Sequence, residues 1–409
     1  MAGPKIRVMP DILEEHFEEL DFLWGQRRAG LRSPDFYNYR SFLELEGRIE
    51  AHVQGLLLGK DQTVALVEPG LAVEDGQVAF AAAYTLLRLN RVELAEKVFE
   101  AWQQAEGNAF QGIEEALCQS PLENLQEKMQ ALIPSENRFL SSAAAEVLVF
   151  HSLLSPSQMP LLQYLNDGKP EVRRAGWQIV SQVPQQAARD FSSGWADSDP
   201  EVRRQALEAA AWNGHNPLLA HCRQCASKPD PEHLLELSIF AILAKPEDLP
   251  LLQQMGKTSS LGPERYSLLG CYGHPATLEF LLAEMASDNP ENASASGQAF
   301  MKIIGVDIES DRRVPVAPEG DGEPDEFEME FLDEVTLPDV EKAKAIWTKL
   351  KDNLSKGTRW CGGLDLSHGA EDKILHQLDL ASRWEACLRG KYQGTWPGKP
   401  QDLLKFPQL

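Results

Sequence analysis

Residues 167–180 read DGKPEVRRAGWQIV, and residues 197–210 read DSDPEVRRQALEAA. Asp167, Pro170, Glu171, Val172, Arg173 and Arg174 match Asp197, Pro200, Glu201, Val202, Arg203 and Arg204 without a gap. Within each copy the apolar and small residues fall at i, i+4, i+7 and i+8: Val172, Gly176, Ile179, Val180, then Val202, Ala206, Ala209, Ala210. That spacing is one stripe of an amphipathic helix. Pro170 and Pro200 stand in the first turn, where the missing N–H costs nothing, and Asp167 and Asp197 lie upstream as caps. Repetition at a fixed period predicts a stack of equivalent units, each too small to bury its own apolar face.

Between and beyond these helices lie segments of a second kind, which open on Pro or Gly and run into Leu-rich sequence. They are SPSQMPLLQYL from Ser155, GHNPLLAHCRQCA from Gly214, KPEDLPLLQQM from Lys245 and GHPATLEFLLAEM from Gly273. Alternating the two kinds predicts helical hairpins at 73–105, 137–166, 168–196, 198–228, 231–256 and 262–287, with a last helix from Glu291. The predicted fold is all-α, a solenoid of stacked helical hairpins with helical N- and C-terminal caps. The period and the D-x-x-P-E-V-R-R line resemble the short HEAT-like repeat. Residues 1–72 are assigned to the N-terminal cap and 73–310 to the array. Residues 311–335, with nine acidic side chains between Glu319 and Glu334, are read as a flexible linker, and 336–409 as a C-terminal helical segment.

Composition narrows the partners. The 409 residues are 43% hydrophobic and 25% charged, as in folded domains. The 62 acidic against 39 basic side chains give a net charge of −23. A phosphate backbone is gripped with Lys and Arg, so nucleic acid and anionic membrane surfaces are disfavoured and a basic protein partner is favoured. No run approaches the roughly 18 apolar residues of a membrane span. MAGPKIRVMPDILEEHFEEL lacks the apolar core of a secretory signal, and six scattered cysteines do not form a disulfide framework. The expectation is a cytoplasmic protein.

Local catalytic motifs are sparse. GLLLGKD at Gly55 and QMGKTSS at Gln254 contain Gly-Lys pairs without the first glycine of a phosphate loop. His221, Cys222 and Cys225 form H-C-R-Q-C, a weak metal or redox candidate. Leu218, Cys222 and Cys225 also share one helical stripe, where cysteine is a small buried hydrophobe. No cofactor is expected. Arg173, Arg174, Arg203 and Arg204 are read as a ladder to acidic residues of the next hairpin. Candidate partner-binding positions are Gln163, Arg189, Gln224 and Gln254 on the second helices, with Trp177 and Trp195 as surface aromatic anchors.

The chain ends carry a further resemblance. LEEHFEELDFLWGQRRAG, with Trp24 and Arg27, precedes LELEGRIEAHVQGL, with Arg48 and His52. QAFMKIIGVDI, LPDVEKAKAIW and GTRWCGG, with Arg359 and Trp360, follow in order. Together they resemble an uncharacterised proteobacterial family of HEAT-like proteins often encoded near type VI secretion genes. The family implies no catalytic residue. It implies a non-enzymatic binding scaffold, an adaptor, chaperone or immunity protein for a secretion effector or delivery component. The alternative is a metal-dependent enzyme on the same scaffold. Trp24, Arg48, His52, Arg359 and Trp360 are expected to seal the ends of the array.

Overall fold

The computed structural model describes residues 9–32, 38–183, 190–316, 332–369 and 371–406. Over these residues the chain forms twenty-two α-helices and two short antiparallel ribbons, an all-α helical-repeat fold. In chain order the first helices are α1 (Pro10–Arg32), α2 (Tyr39–Gly59), α3 (Asp61–Val67), α4 (Gly76–Arg88), α5 (Val92–Gln104) and α6 (Gly107–Gln119). Then come α7 (Gln126–Leu132), α8 (Arg138–Phe150), α9 (Leu161–Leu165), α10 (Pro170–Gln182), α11 (Ser192–Trp195) and α12 (Pro200–Trp212). A second compact unit begins after Asn213. It holds α13 (Pro217–Ala226), α14 (Leu234–Leu243), α15 (Leu249–Lys257), α16 (Glu264–Tyr272), α17 (Leu278–Glu284) and α18 (Pro290–Ile304). The strands β1 (Glu309–Pro315) and β2 (Glu334–Pro338) come next, then α19 (Val340–Leu354), β3 (Trp360–Cys361), β4 (Leu364–Asp365) and α20 (Asp372–Leu375). The chain ends with α21 (Leu380–Gln393) and α22 (Pro400–Leu404).

In the first unit α4, α6, α8, α10 and α12 are each thirteen residues long and pack one on the next. Small residues permit this: Ala79, Ala81, Ala82, Ala83, Ala144, Ala145, Ala209 and Ala210 are fully buried. The closest approach is between α4 and α6, where a side chain at Gly112 would come within 2.0 Å of the Gly76 carbonyl oxygen. α5 and the shorter α7, α9 and α11 fill the other layer. Trp177 of α10 packs on Phe191 at 5.4 Å between ring centres, against Gly194 of α11.

The doubled motif is a loop clamp. The Asp167 carboxylate accepts the Lys169 N–H, and Asp197 likewise accepts from Asp199. Arg173 donates to the carbonyls of Asp167 and Gly168, and Arg203 to those of Asp197 and Ser198. Arg173 then reaches forward, bidentate at 2.7 and 2.8 Å, to the Asp197 carboxylate of the next repeat. Planar guanidinium matches carboxylate in this way, so the second copy anchors the first. Arg204 pairs instead with Glu201 of its own helix.

In the second unit α14, α16 and α18 stack in the same manner, with α13, α15 and α17 beside them. Arg223 repeats the clamp with two bonds to Asp248 at 2.8 and 3.0 Å. The stretch expected as a linker is different at its edges. Residues 309–315 and 334–338 pair as antiparallel strands, with Arg313 opposite Thr336 and Val314 opposite Val335. The Ser310 hydroxyl adds a bond to the Leu337 carbonyl, and Pro338 of β2 packs against Gly297 of α18. The acidic core of that stretch, residues 317–331, lies outside the described residues. The segment expected as helical over 336–409 likewise contains the β3–β4 ribbon.

Candidate functional site

The half-buried edge of the long helices in the first unit carries an uneven row of ionisable groups. Most of α8, RFLSSAAAEVLVF, is buried, and Glu146 is its single acidic residue. On α6, Cys118 lies one turn after the adjacent pair Glu114 and Glu115. On α10 the positions are Arg174 and Gln178, and on α12 they are Arg204, Gln205 and Glu208. These places follow from the 3.6-residue period: whatever occupies the face opposite the stacked stripe must look outward.

The carboxylates of this row are enclosed rather than freely solvated. Burial and the neighbouring Glu146 charge raise Glu114 well above the ordinary carboxylate range, and its Oε1 has no hydrogen-bond partner. Burial also raises Glu146, with Arg174 pulling the other way. Glu208 is pushed up to about 7, chiefly by burial. The Cys118 thiol is raised by burial and then by Glu114, so it stays protonated and is a poor nucleophile. Among the described residues none of Glu114, Glu146 and Glu208 has an ion pair, while Arg204 is held by Glu201. A carboxylate withdrawn from water without a counter-charge prefers to bind a proton or a cation. The face can therefore accept hydrogen bonds from a Lys, an Arg or a helix N-terminus laid across it.

The sequence-derived candidates lie elsewhere. Gln163 on α9 is exposed in the first unit, and Gln224 on α13 and Gln254 on α15 are exposed in the second. Arg189 lies outside the described residues. Trp177, expected at the surface, is 1% exposed, because the small residues of α11 let it pack inward; Trp195 is half-buried. The charged row was missed, although a lone Glu inside SSAAAEVLVF was its visible signal.

The end-motif residues divide into two sets of packing groups. Trp24 stacks on Phe80 at 3.5 Å and donates to Glu115 at 3.0 Å. Beside it the buried Arg27 pairs with Glu46 at 2.9 Å, donates to the Leu404 carbonyl, and sits over Trp24, Phe42 and Phe406. Arg48 is exposed and lies 3.8 Å from Glu19, while His52 faces His16 with their Nδ1 atoms 3.1 Å apart. In the second unit Arg359 donates to the carbonyls of Ala241, Ala244 and Cys271 and covers Tyr272. These are last-turn and end carbonyls of α14 and α16, where a cation also suits the helix dipole. The Trp360 indole N–H donates to the Leu354 carbonyl at 2.9 Å.

At H-C-R-Q-C, Cys222 is fully buried and its thiol is raised strongly by burial; Cys225 and His221 are half-buried. Arg223 between them points to Asp248. Among the described residues no group of three or more His, Cys, Asp or Glu side chains is placed to hold a metal ion. No described helix is long and apolar enough to cross a membrane. No protein-family model matches the chain, and no curated protein matches it.

Proposed function

We propose that this chain is a non-enzymatic protein-binding scaffold of the bacterial cytoplasm. Its face of α6, α8, α10 and α12 receives a basic segment of a partner. The observation that carries this reading is the run of half-buried carboxylates Glu114, Glu146 and Glu208, none of which makes an ion pair among the described residues, with Arg174 and Arg204 acting on them only from a distance. A partner cation placed there gains both Coulomb attraction and charge-assisted hydrogen bonds. The acidic balance of the whole chain, −23, steers the same class of partner. The resemblance of the chain ends to proteins encoded near type VI secretion genes makes the partner an effector or a delivery component. The scaffold then acts as its adaptor, chaperone or immunity protein.

The test is a tagged pull-down from the native cytoplasm at low salt, read by mass spectrometry, followed by reconstitution with the captured protein. Binding that weakens with salt and with neutralisation of Glu114 and Glu146 supports the proposal. A captured partner whose affinity ignores both overturns the assignment of the face.

A further inference from the structure

The densest buried charge of the second unit surrounds a cavity of about 20 Å³. Arg359, Arg389, Cys271, Cys361, Ser382 and Glu385 are among the residues of its wall. Arg359 is 8% exposed and Arg389 4%. Glu385 is the carboxylate in the wall, and it is already engaged. Lys302 Nζ lies 2.7 Å from its Oε1, and the Cys271 thiol donates to the same oxygen at 3.2 Å. The Glu385 charge also favours the two guanidinium groups from a distance, so three cations share one carboxylate and neither arginine has an ion pair among the described residues. Arg359 meets only neutral carbonyls, and Arg389 makes one hydrogen bond, to the Leu366 carbonyl at 3.0 Å.

Buried charge without compensation is expensive, and guanidinium, with five N–H donors, does not escape it by losing its proton near neutrality. Burial lowers both groups, Arg359 to about 10 and Arg389 to about 9, and the charge of Arg359 adds to the effect on Arg389. Both remain cations at pH 7. The missing partner is therefore an anion, and the cavity limits its size. The space is small, about 20 Å³, and suits one small ion better than an organic acid. The Cys271 thiol, held protonated by burial, adds no negative charge to the wall.

We propose that this cavity is a binding site for one small monovalent inorganic anion of the size of chloride, held by Arg359 and Arg389. Arg359 stands at the start of the β3–β4 ribbon and Arg389 on α21, so the anion ties both elements to the end of α16. Its binding is then linked to the stability of the second unit.

The experiment is urea unfolding of the full chain while chloride is exchanged for gluconate at constant ionic strength, alongside Arg389→Met. The unfolding midpoint of the second unit is expected to rise with chloride and to saturate, with bromide replacing chloride and sulfate failing to. At about a hundred times the dissociation constant, the folding equilibrium shifts about a hundredfold. R389M is expected to show no chloride dependence. A flat response of the parent chain, or an equal response of R389M, overturns the proposal. Should R389M not fold, chlorine-35 NMR of the parent chain decides. Line broadening relieved by bromide is expected, and its absence refutes the site.

Discussion

Replacing Glu208 by Gln tests whether the row on the first unit is enclosed. The folded-state value of about 7 against the ordinary 4.5 corresponds to about 3 kcal/mol. The sign follows from a raised carboxyl. The folded chain holds the proton more tightly than the unfolded chain, so the contribution is fully favourable below 4.5 and is lost as pH rises through 7. Between about pH 5.5 and 8.5 the loss is about 2 kcal/mol, reduced towards about 1 kcal/mol because Glu208 keeps part of its surface in solvent. Gln does not titrate. The difference in urea-unfolding free energy between parent and E208Q, which cancels the other groups, is therefore expected to move by about 1–2 kcal/mol in favour of the variant across that range. A difference independent of pH would show that Glu208 is solvated as an ordinary carboxylate, and the reasoning about the row would fail with it.

Four other substitutions probe the scaffold. Gly112→Ala drives a methyl into the Gly76 carbonyl and is expected to destabilise the first unit by about 1–3 kcal/mol in chemical denaturation. Gly47→Ala, on α2 with nothing within 4 Å of the added carbon, is expected to be stabilising by up to about 1 kcal/mol in the same assay. Arg173→Ala strands the Asp197 carboxylate and is expected to cost about 2–4 kcal/mol, with R173A/D197A recovering part of the loss in a double-mutant cycle. Arg359→Met leaves three carbonyls without their donor and is expected to lower the unfolding midpoint of the second unit, with faster hydrogen exchange at the C-terminal turns of α14 and α16.

The repeated helices were legible because the motif at Asp167 and Asp197 is local: proline and stripe lie within fourteen residues, and the clamp it builds recurs at the same offsets. The expected caps were misplaced: Asp199 caps α12, α10 has no side-chain cap, and Asp167 and Asp197 hold the loop before each helix instead. The role of Arg173 as a bidentate link was legible in kind, since the next repeat had to offer acidic residues. The β1–β2 ribbon was not. Its strands, ESDRRVP and EVTLP, are short, mostly exposed in β1 and half-buried in β2, without alternation, and they pair across a long acidic stretch that reads as solvated. The roles of Arg27 and Arg359 were hidden for another reason. Besides the Glu46 ion pair of Arg27, their partners are backbone carbonyls far along the chain, Leu404 for the first and Ala241, Ala244 and Cys271 for the second. Carbonyl acceptors leave no mark on side-chain identity. The same blindness misplaced Trp177, because only the packing of Gly194 and Phe191 shows which way its ring turns. At the candidate site, the lone Glu146 in an otherwise apolar helix went unread, and its enclosure depends on the neighbouring helices.

The most direct test of the scaffold is a paired capture experiment. The tagged parent chain and an E114K/E146K variant, each first shown to be folded, are passed through the same native cytoplasm at low salt. Bound proteins are quantified by mass spectrometry. One basic protein retained in stoichiometric amount by the parent and lost by the variant is the predicted result. Equal capture by both, or no stoichiometric partner for either, would contradict a partner-binding role for this face.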